Sequence, residues 1–125
     1  MRMTPQTQAV IQELQIRGHA SNADLLEALH TALPELSATT VHRITKRLVI
    51  EKQIGMLRSP LDGTTLLDAN PAPHYHFACQ PCGKVQDIQI SNSVVGELEQ
   101  AIGQQILHDS LIITGVKVSC PHYKG

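Results

Sequence analysis

The chain has 125 residues, 42% apolar, 17% charged and 2% aromatic, and its formal net charge is -1 with histidine neutral. That suffices for one ordinary domain or two small ones, and no run approaches the roughly 20 apolar residues that span a bilayer, so no membrane partner is expected. The opening MRMTPQTQ lacks the charged-then-apolar layout of a secretory signal, which makes the cytoplasm the expected location. Three cysteines are an odd count that disfavours a disulfide framework, and seven histidines are many for this length, so metal binding is the first chemistry to test.

Thr4 followed by Pro5 is a cap residue with proline at the first helical position, and Val10, Ile11 and Leu14 share a face, which predicts a helix over 4–17 stopped by Gly18. Ser21 and Asp24 form a capping box ahead of Leu25, Leu26 and Leu29, predicting a second helix that ends near Pro34. Ser37 caps a third, with Leu36 and Val41 as a hydrophobic staple and Val41, Ile44, Leu48 and Val49 as the buried stripe, running to about residue 52. Beyond Gly55 the pattern turns extended over 56–59 and 64–68, around the hairpin signal Pro60-Leu61-Asp62-Gly63. Three short helices followed by a hairpin is the order of a winged helix-turn-helix, whose third helix enters the major groove of DNA.

Charge agrees with that order. Residues 43–58 hold Arg43, Lys46, Arg47, Lys52 and Arg58 against Glu51 alone. A solvated helix face would also be basic, but this stretch coincides with the third helix and the wing. With the apolar stripe turned inward, Thr39, Thr40, His42, Arg43, Lys46 and Arg47 face outward as candidate contacts to a double-stranded DNA operator.

Asn70-Pro71-Ala72-Pro73 reads as a linker, dividing a winged-helix DNA-binding domain, 1–69, from a metal-binding dimerisation domain, 70–125. On a strand over 74–79, His74 and His76 project from one face and offer two imidazoles to one metal. Cys79 and Cys82, followed by Gly83, form a knuckle at the end of a hairpin, and on the return strand, 85–90, Asp87 falls roughly opposite His76 and can complete the histidine site. Farther on, Val94, Val95, Leu98, Ala101, Ile102 and Ile106 line a helix over 93–107, and residues 111–119 alternate as a strand. Three strands and one covering helix make a thin domain, which points to pairing with a second copy as a homodimer, although the stripe could equally serve an intrachain core. The fold class is therefore α+β, an N-terminal winged helix-turn-helix followed by a small α/β dimerisation domain.

The winged-helix order, Ala38-Thr39-Thr40-Val41-His42-Arg43 and the run HYHFACQPCGKVQDI together resemble the ferric uptake regulator (Fur) superfamily of dimeric, metal-responsive bacterial repressors, over nearly the whole chain. The resemblance implies a regulatory metal, Fe²⁺, Mn²⁺ or Zn²⁺, held by His19, Asp68, His74, His76 and Asp87. Since His19 and Asp68 belong to the first domain and the others to the second, such a metal would bias the hinge between them and so set operator affinity. Asp87, where iron sensors commonly carry Glu, leans toward PerR-like peroxide sensing, with His19 and His74 as the imidazoles open to oxidation, while iron, zinc and manganese sensing stay open.

The resemblance also implies a structural Zn²⁺ held by two CxxC pairs, but this chain has Lys117 in the first slot of the final pair. Cys79, Cys82, Cys120 and His122 make the expected Cys₃His set, with His122 as a tail histidine, His108 as a spare ligand or Cys120 as a free thiol as the alternatives. A third site found in some members is expected to be absent, because Pro73 and Tyr75 replace its ligands. His42 stands where the family usually has Tyr, whereas Arg43 matches.

Enzyme chemistry is disfavoured. A thioredoxin-like CxxC opens a helix, and here Gly83 and a strand follow. A zinc hydrolase or deaminase needs a positioned glutamate, and none lies near the cluster. The alternative in another class is a zinc-binding protein-interaction module without metal-switched DNA binding.

Overall fold

Each helix among the described residues starts on a hydroxyl side chain that accepts a hydrogen bond from the first turn, satisfying one of the backbone N–H groups a helix leaves open. Thr4 does this for α1 (Pro5–Arg17), Ser21 for α2 (Asn22–Leu29), Ser37 for α3 (Ala38–Ile50) and Ser91 for α4 (Asn92–Ile102). The structure, a computed structural model, describes residues 3–72, 74–107 and 111–124, and the chain divides into two units, Met1–Ala72 and Pro73–Gly125.

In the first unit α1 ends where Gly18 takes φ 80° and its N–H bonds to the Leu14 carbonyl at 2.7 Å. The reversal leads into a two-residue strand, β1 (His19–Ala20), that the sequence did not announce. The capping box of α2 is complete, since Ser21 accepts from Asp24 N–H and the Asp24 carboxylate accepts from Ser21 N–H. α2 stops at Leu29, short of the predicted end near Pro34. Proline disfavours helical backbone at Leu33, and the chain continues in turns closed by Leu33 N–H to Leu29 O and Leu36 N–H to Leu33 O.

α3 ends in a Schellman motif, Gln53 N–H bonding to Leu48 O and Lys52 N–H to Val49 O. The left-handed position there, usually glycine, is Lys52 at φ 59°. The wing is β2 (Gly55–Arg58) against β3 (Thr65–Asp68), and β1 adds to the far edge of β3, giving the order β1-β3-β2. In the turn Asp62 Oδ1 accepts from Thr64 N–H at 2.9 Å, which holds the Asp62 carboxyl below its ordinary range. Val10, Leu14, Leu25, Val41 and Leu48 are fully enclosed at the centre of this unit's core, with Leu36 and Ile44 beside them.

The second unit is a sheet of order β5-β4-β6, from β4 (Tyr75–Cys79), β5 (Val85–Ile88) and β6 (Ile112–Gly115). β4 and β5 are antiparallel, whereas β6 runs parallel to β4. Gly115 permits that approach, since a Cβ there would lie 3.2 Å from the Phe77 ring. β6 is shorter than the predicted 111–119, because the chain turns after Gly115 and Cys120 N–H bonds to Lys117 O at 2.9 Å. α4 likewise ends at Ile102 instead of residue 107, where Gly103 adopts the left-handed conformation at φ 70°. Of its apolar stripe Val95 is buried, while Val94, Leu98 and Ile102 are exposed, as are Ile113, Val116 and Val118 on the sheet side. Among the described residues no helix is long and apolar enough to cross a membrane.

Candidate metal and DNA-binding sites

The short strand β1 explains the first pair of candidate ligands. Antiparallel pairing puts His19 opposite Asp68, and His19 Nε2 lies 3.2 Å from Asp68 Oδ2, both side chains nearly enclosed. Asp68 is central in its sheet, with Gly55 on its other side. A Cβ at Gly55 would lie 3.1 Å from the Asn70 carbonyl and 3.5 Å from Asp68 Cβ, so the missing side chain leaves room beside the carboxylate. Asp68 Oδ1 meanwhile accepts from Asn70 N–H at 2.9 Å, which fixes the carboxylate plane.

In the second unit the register pairs His76 with Asp87, as the knuckle hairpin predicts. Asp87 Oδ1 lies 2.8 Å from His74 Nε2 and 3.4 Å from His76 Nε2, and the two imidazole centroids are 4.3 Å apart. His74 itself precedes β4 rather than lying in it. Two imidazole nitrogens converging on one carboxylate oxygen is a donor set suited to Fe²⁺, Mn²⁺ or Zn²⁺, all of which accept nitrogen and oxygen ligands.

The knuckle between β4 and β5 is closed by Cys79 N–H to Lys84 O and Gly83 N–H to Cys79 O, with Gly83 at φ 73°. The turn after β6 returns Cys120 to it, and the sulfurs of Cys79, Cys82 and Cys120 lie within 4.8 Å of one another. Thiolates about 2.3 Å from a tetrahedral zinc are about 3.8 Å apart, so this spacing fits a zinc with three sulfur ligands. Lys117 N–H donates to Cys79 Sγ at 3.4 Å and, with help from Cys82 and Cys120, lowers the Cys79 thiol to about 7. The His122 backbone N–H acts in the same direction on Cys120, but burial and the charges of Cys79 and Cys82 outweigh it and leave that thiol raised. Lys117 thus contributes to the knuckle through its backbone. The imidazole of His122 is on an exposed residue and is outside the three-sulfur group; His108 and Pro73 lie outside the described residues.

On α3, Thr39, His42, Arg43, Lys46 and Arg47 are exposed and Thr40 is half-buried, while Val41, Ile44 and Leu48 turn inward. Arg47 shares its guanidinium with Glu51 at 3.4 Å, and Thr40 backs onto the Ser37 cap. Two residues outside the expected set support this surface from beneath or beside it. Asn22 Nδ2 lies 3.3 Å from His42 Nδ1, and the buried Thr45 hydroxyl donates to Asn22 Oδ1 at 2.8 Å. Thr45 interrupts an apolar stripe, which is the one trace of this arrangement in the sequence.

The model of the Ferric uptake regulator family matches residues 1–113. The chain belongs to that family. Within it, the peroxide-responsive repressor PerR of Staphylococcus aureus is 28% identical over 125 residues, spanning 96% of this chain and 82% of that one. The Helicobacter pylori ferric uptake regulator, described as having three functional metal binding sites, aligns over 100% of this chain and 85% of its own with a TM-score of 0.74 at 20% identity. For the Campylobacter jejuni peroxide stress regulator the TM-score is 0.68 at 23% identity, over 92% and 87%. These likenesses establish the family fold, a winged helix followed by a smaller α/β unit.

Proposed function

We propose that the protein is a metal-dependent DNA-binding transcriptional repressor whose operator affinity is set by a regulatory metal. The carrying observation is the pair His74 and His76 converging on Asp87 beside a three-sulfur knuckle in one small unit. With His19 and Asp68 from the first unit these residues form the five-ligand regulatory set. A metal that needs both halves favours the hinge arrangement that supplies them, and so the spacing of the two recognition helices in a homodimer. Cys79, Cys82 and Cys120 hold a structural Zn²⁺, with His122 as fourth ligand through movement of its exposed tail.

The exposed α4 residues Val94, Leu98 and Ile102 support a dimer, because a second copy would cover them. Thr39, Thr40, His42, Arg43, Lys46 and Arg47 face the operator. Asp87 and the likeness to a peroxide-responsive repressor favour peroxide response: with peroxide as the oxidant, a ferrous ion in this set would bring oxidising chemistry to the bound imidazoles. In the metal-free protein Asp68 and Asp87 orient the imidazoles of His19, His74 and His76. The likeness to a transcription repressor favours a regulatory role over an enzymatic one.

Elemental analysis of protein purified without oxygen, before and after EDTA, tests this. About one chelator-resistant zinc per chain, plus a second exchangeable metal lost in His74→Ala, is expected; the zinc alone should fall in His122→Ala. A single metal indifferent to His74→Ala, with no metal-dependent DNA binding in gel shifts, would instead identify a zinc-binding protein-interaction module.

A further inference from the structure

The recognition helix carries a side chain whose proton is placed by its neighbours. Thr45 is 2% exposed, and its hydroxyl donates to Asn22 Oδ1. That bond orients the amide, so the group facing His42 Nδ1 is Asn22 Nδ2. An amide nitrogen only donates, so Nδ1 accepts and the neutral ring carries its proton on Nε2. The hydroxyl has one proton and two acceptors in reach, Asn22 Oδ1 at 2.8 Å and the His42 carbonyl at 3.2 Å, and the shorter contact takes it. Among the described residues Nε2 has no protein partner, and His42 is exposed on the face of α3 turned away from the core.

We propose that Asn22 and Thr45 are positioning residues that hold His42 in its Nε2–H tautomer, making it a hydrogen-bond donor to a base edge in the major groove. This rests on the DNA-binding reading of α3 given above. In the major groove guanine presents two neighbouring acceptors, O6 and N7, whereas cytosine presents only its N4 amino donors. A ring fixed as a donor therefore favours guanine over cytosine at one position of each half-site, while adenine N7 and thymine O4 remain acceptable acceptors. Without the Thr45 hydroxyl the amide can turn over, present Oδ1 to a proton on Nδ1 and leave Nε2 as an acceptor, which cancels the selection.

Two measurements on the full-length protein test this. Long-range ¹H–¹⁵N spectra of the DNA-free protein should show His42 as the Nε2–H tautomer, and a mixture of tautomers in Thr45→Val. With Mn²⁺ present, selection from a random duplex library, followed by affinities for single-base variants, should show about tenfold preference for guanine over cytosine at one position per half-site. His42→Ala should abolish that preference and Thr45→Val should reduce it at least about threefold, while Thr45→Ser, which keeps the hydroxyl, retains it. An Nδ1–H tautomer in the wild type, or base preferences unchanged at every position in His42→Ala, would overturn the proposal alone. Failure of the wild type to enrich any sequence would overturn the DNA-binding reading and this proposal with it.

Discussion

Leu48 lies on the inner face of the recognition helix, fully enclosed at 0% exposure among Val10, Leu14, Leu25 and Val41. Leu48→Ala removes three side-chain carbons, Cγ and two methyls, from a site whose walls come from three different helices and cannot all close in. The expected loss is about 3–5 kcal/mol, the range for enclosed leucines that leave a cavity. A unit of this size holds about 4–11 kcal/mol in total at about 0.05–0.15 kcal/mol per residue, so the substitution consumes a large share of it. At about 4–8 °C per kcal/mol for a small domain, even 3 kcal/mol lowers the melting temperature by about 12–24 °C. Far-ultraviolet circular dichroism, to which α1, α2 and α3 all contribute from this unit, follows the transition, and urea titration gives the free energy. Ile50→Ala is the control: two residues along the same helix but 69% exposed, it should change stability by less than about 0.5 kcal/mol. A loss under about 1 kcal/mol for Leu48→Ala, or an equal loss for Ile50→Ala, would refute the assignment of the inner face.

Lys52→Gly should raise stability by up to about 1 kcal/mol, because it relieves a left-handed side chain in the Schellman motif at some cost in unfolded-chain entropy; a decrease in the urea midpoint would contradict this. In metal-stripped, reduced protein, thiolate absorbance should rise in a first step centred near 7, from Cys79, and a second above the ordinary thiol range, from Cys120. Cys79→Ala should remove the first step, so zinc uptake by the wild type should release fewer protons as the pH is raised through 7. A single step at the ordinary thiol value would show that the Lys117 N–H does not act on Cys79.

Features encoded within a few residues were legible in the sequence. The caps at Thr4, Ser21 and Ser37 lie where short hydroxyl side chains precede apolar helical spacing, and the pairing of His76 with Asp87 follows from the length of the knuckle. α2 ends at Leu29, before the stop that Pro34 offers in the sequence, because the chain leaves the helix in turns closed at Leu33 and Leu36. β1 was invisible, since two residues establish no periodicity, yet it alone sets His19 opposite Asp68. The Asn22, His42 and Thr45 contacts join residues on two helices, which no local pattern records. Cys120 is a candidate ligand by residue type, but its return to the knuckle depends on the turn after Gly115.

The parallel pairing of β6 with β4 gives metal capture a place in the order of folding. A hairpin such as β4–β5 closes locally, but a parallel neighbour must wait for a long crossover, and the entropy of closing that loop is lost before any pairing repays it. Lys117 and Cys79, whose contact marks the end of that closure, are 38 residues apart. The two knuckle sulfurs are therefore adjacent early, while the third arrives only with the last strand. A zinc ion bound by all three would act as a clasp on the completed topology, slowing the loss of β6 more than it speeds the formation of β4 and β5.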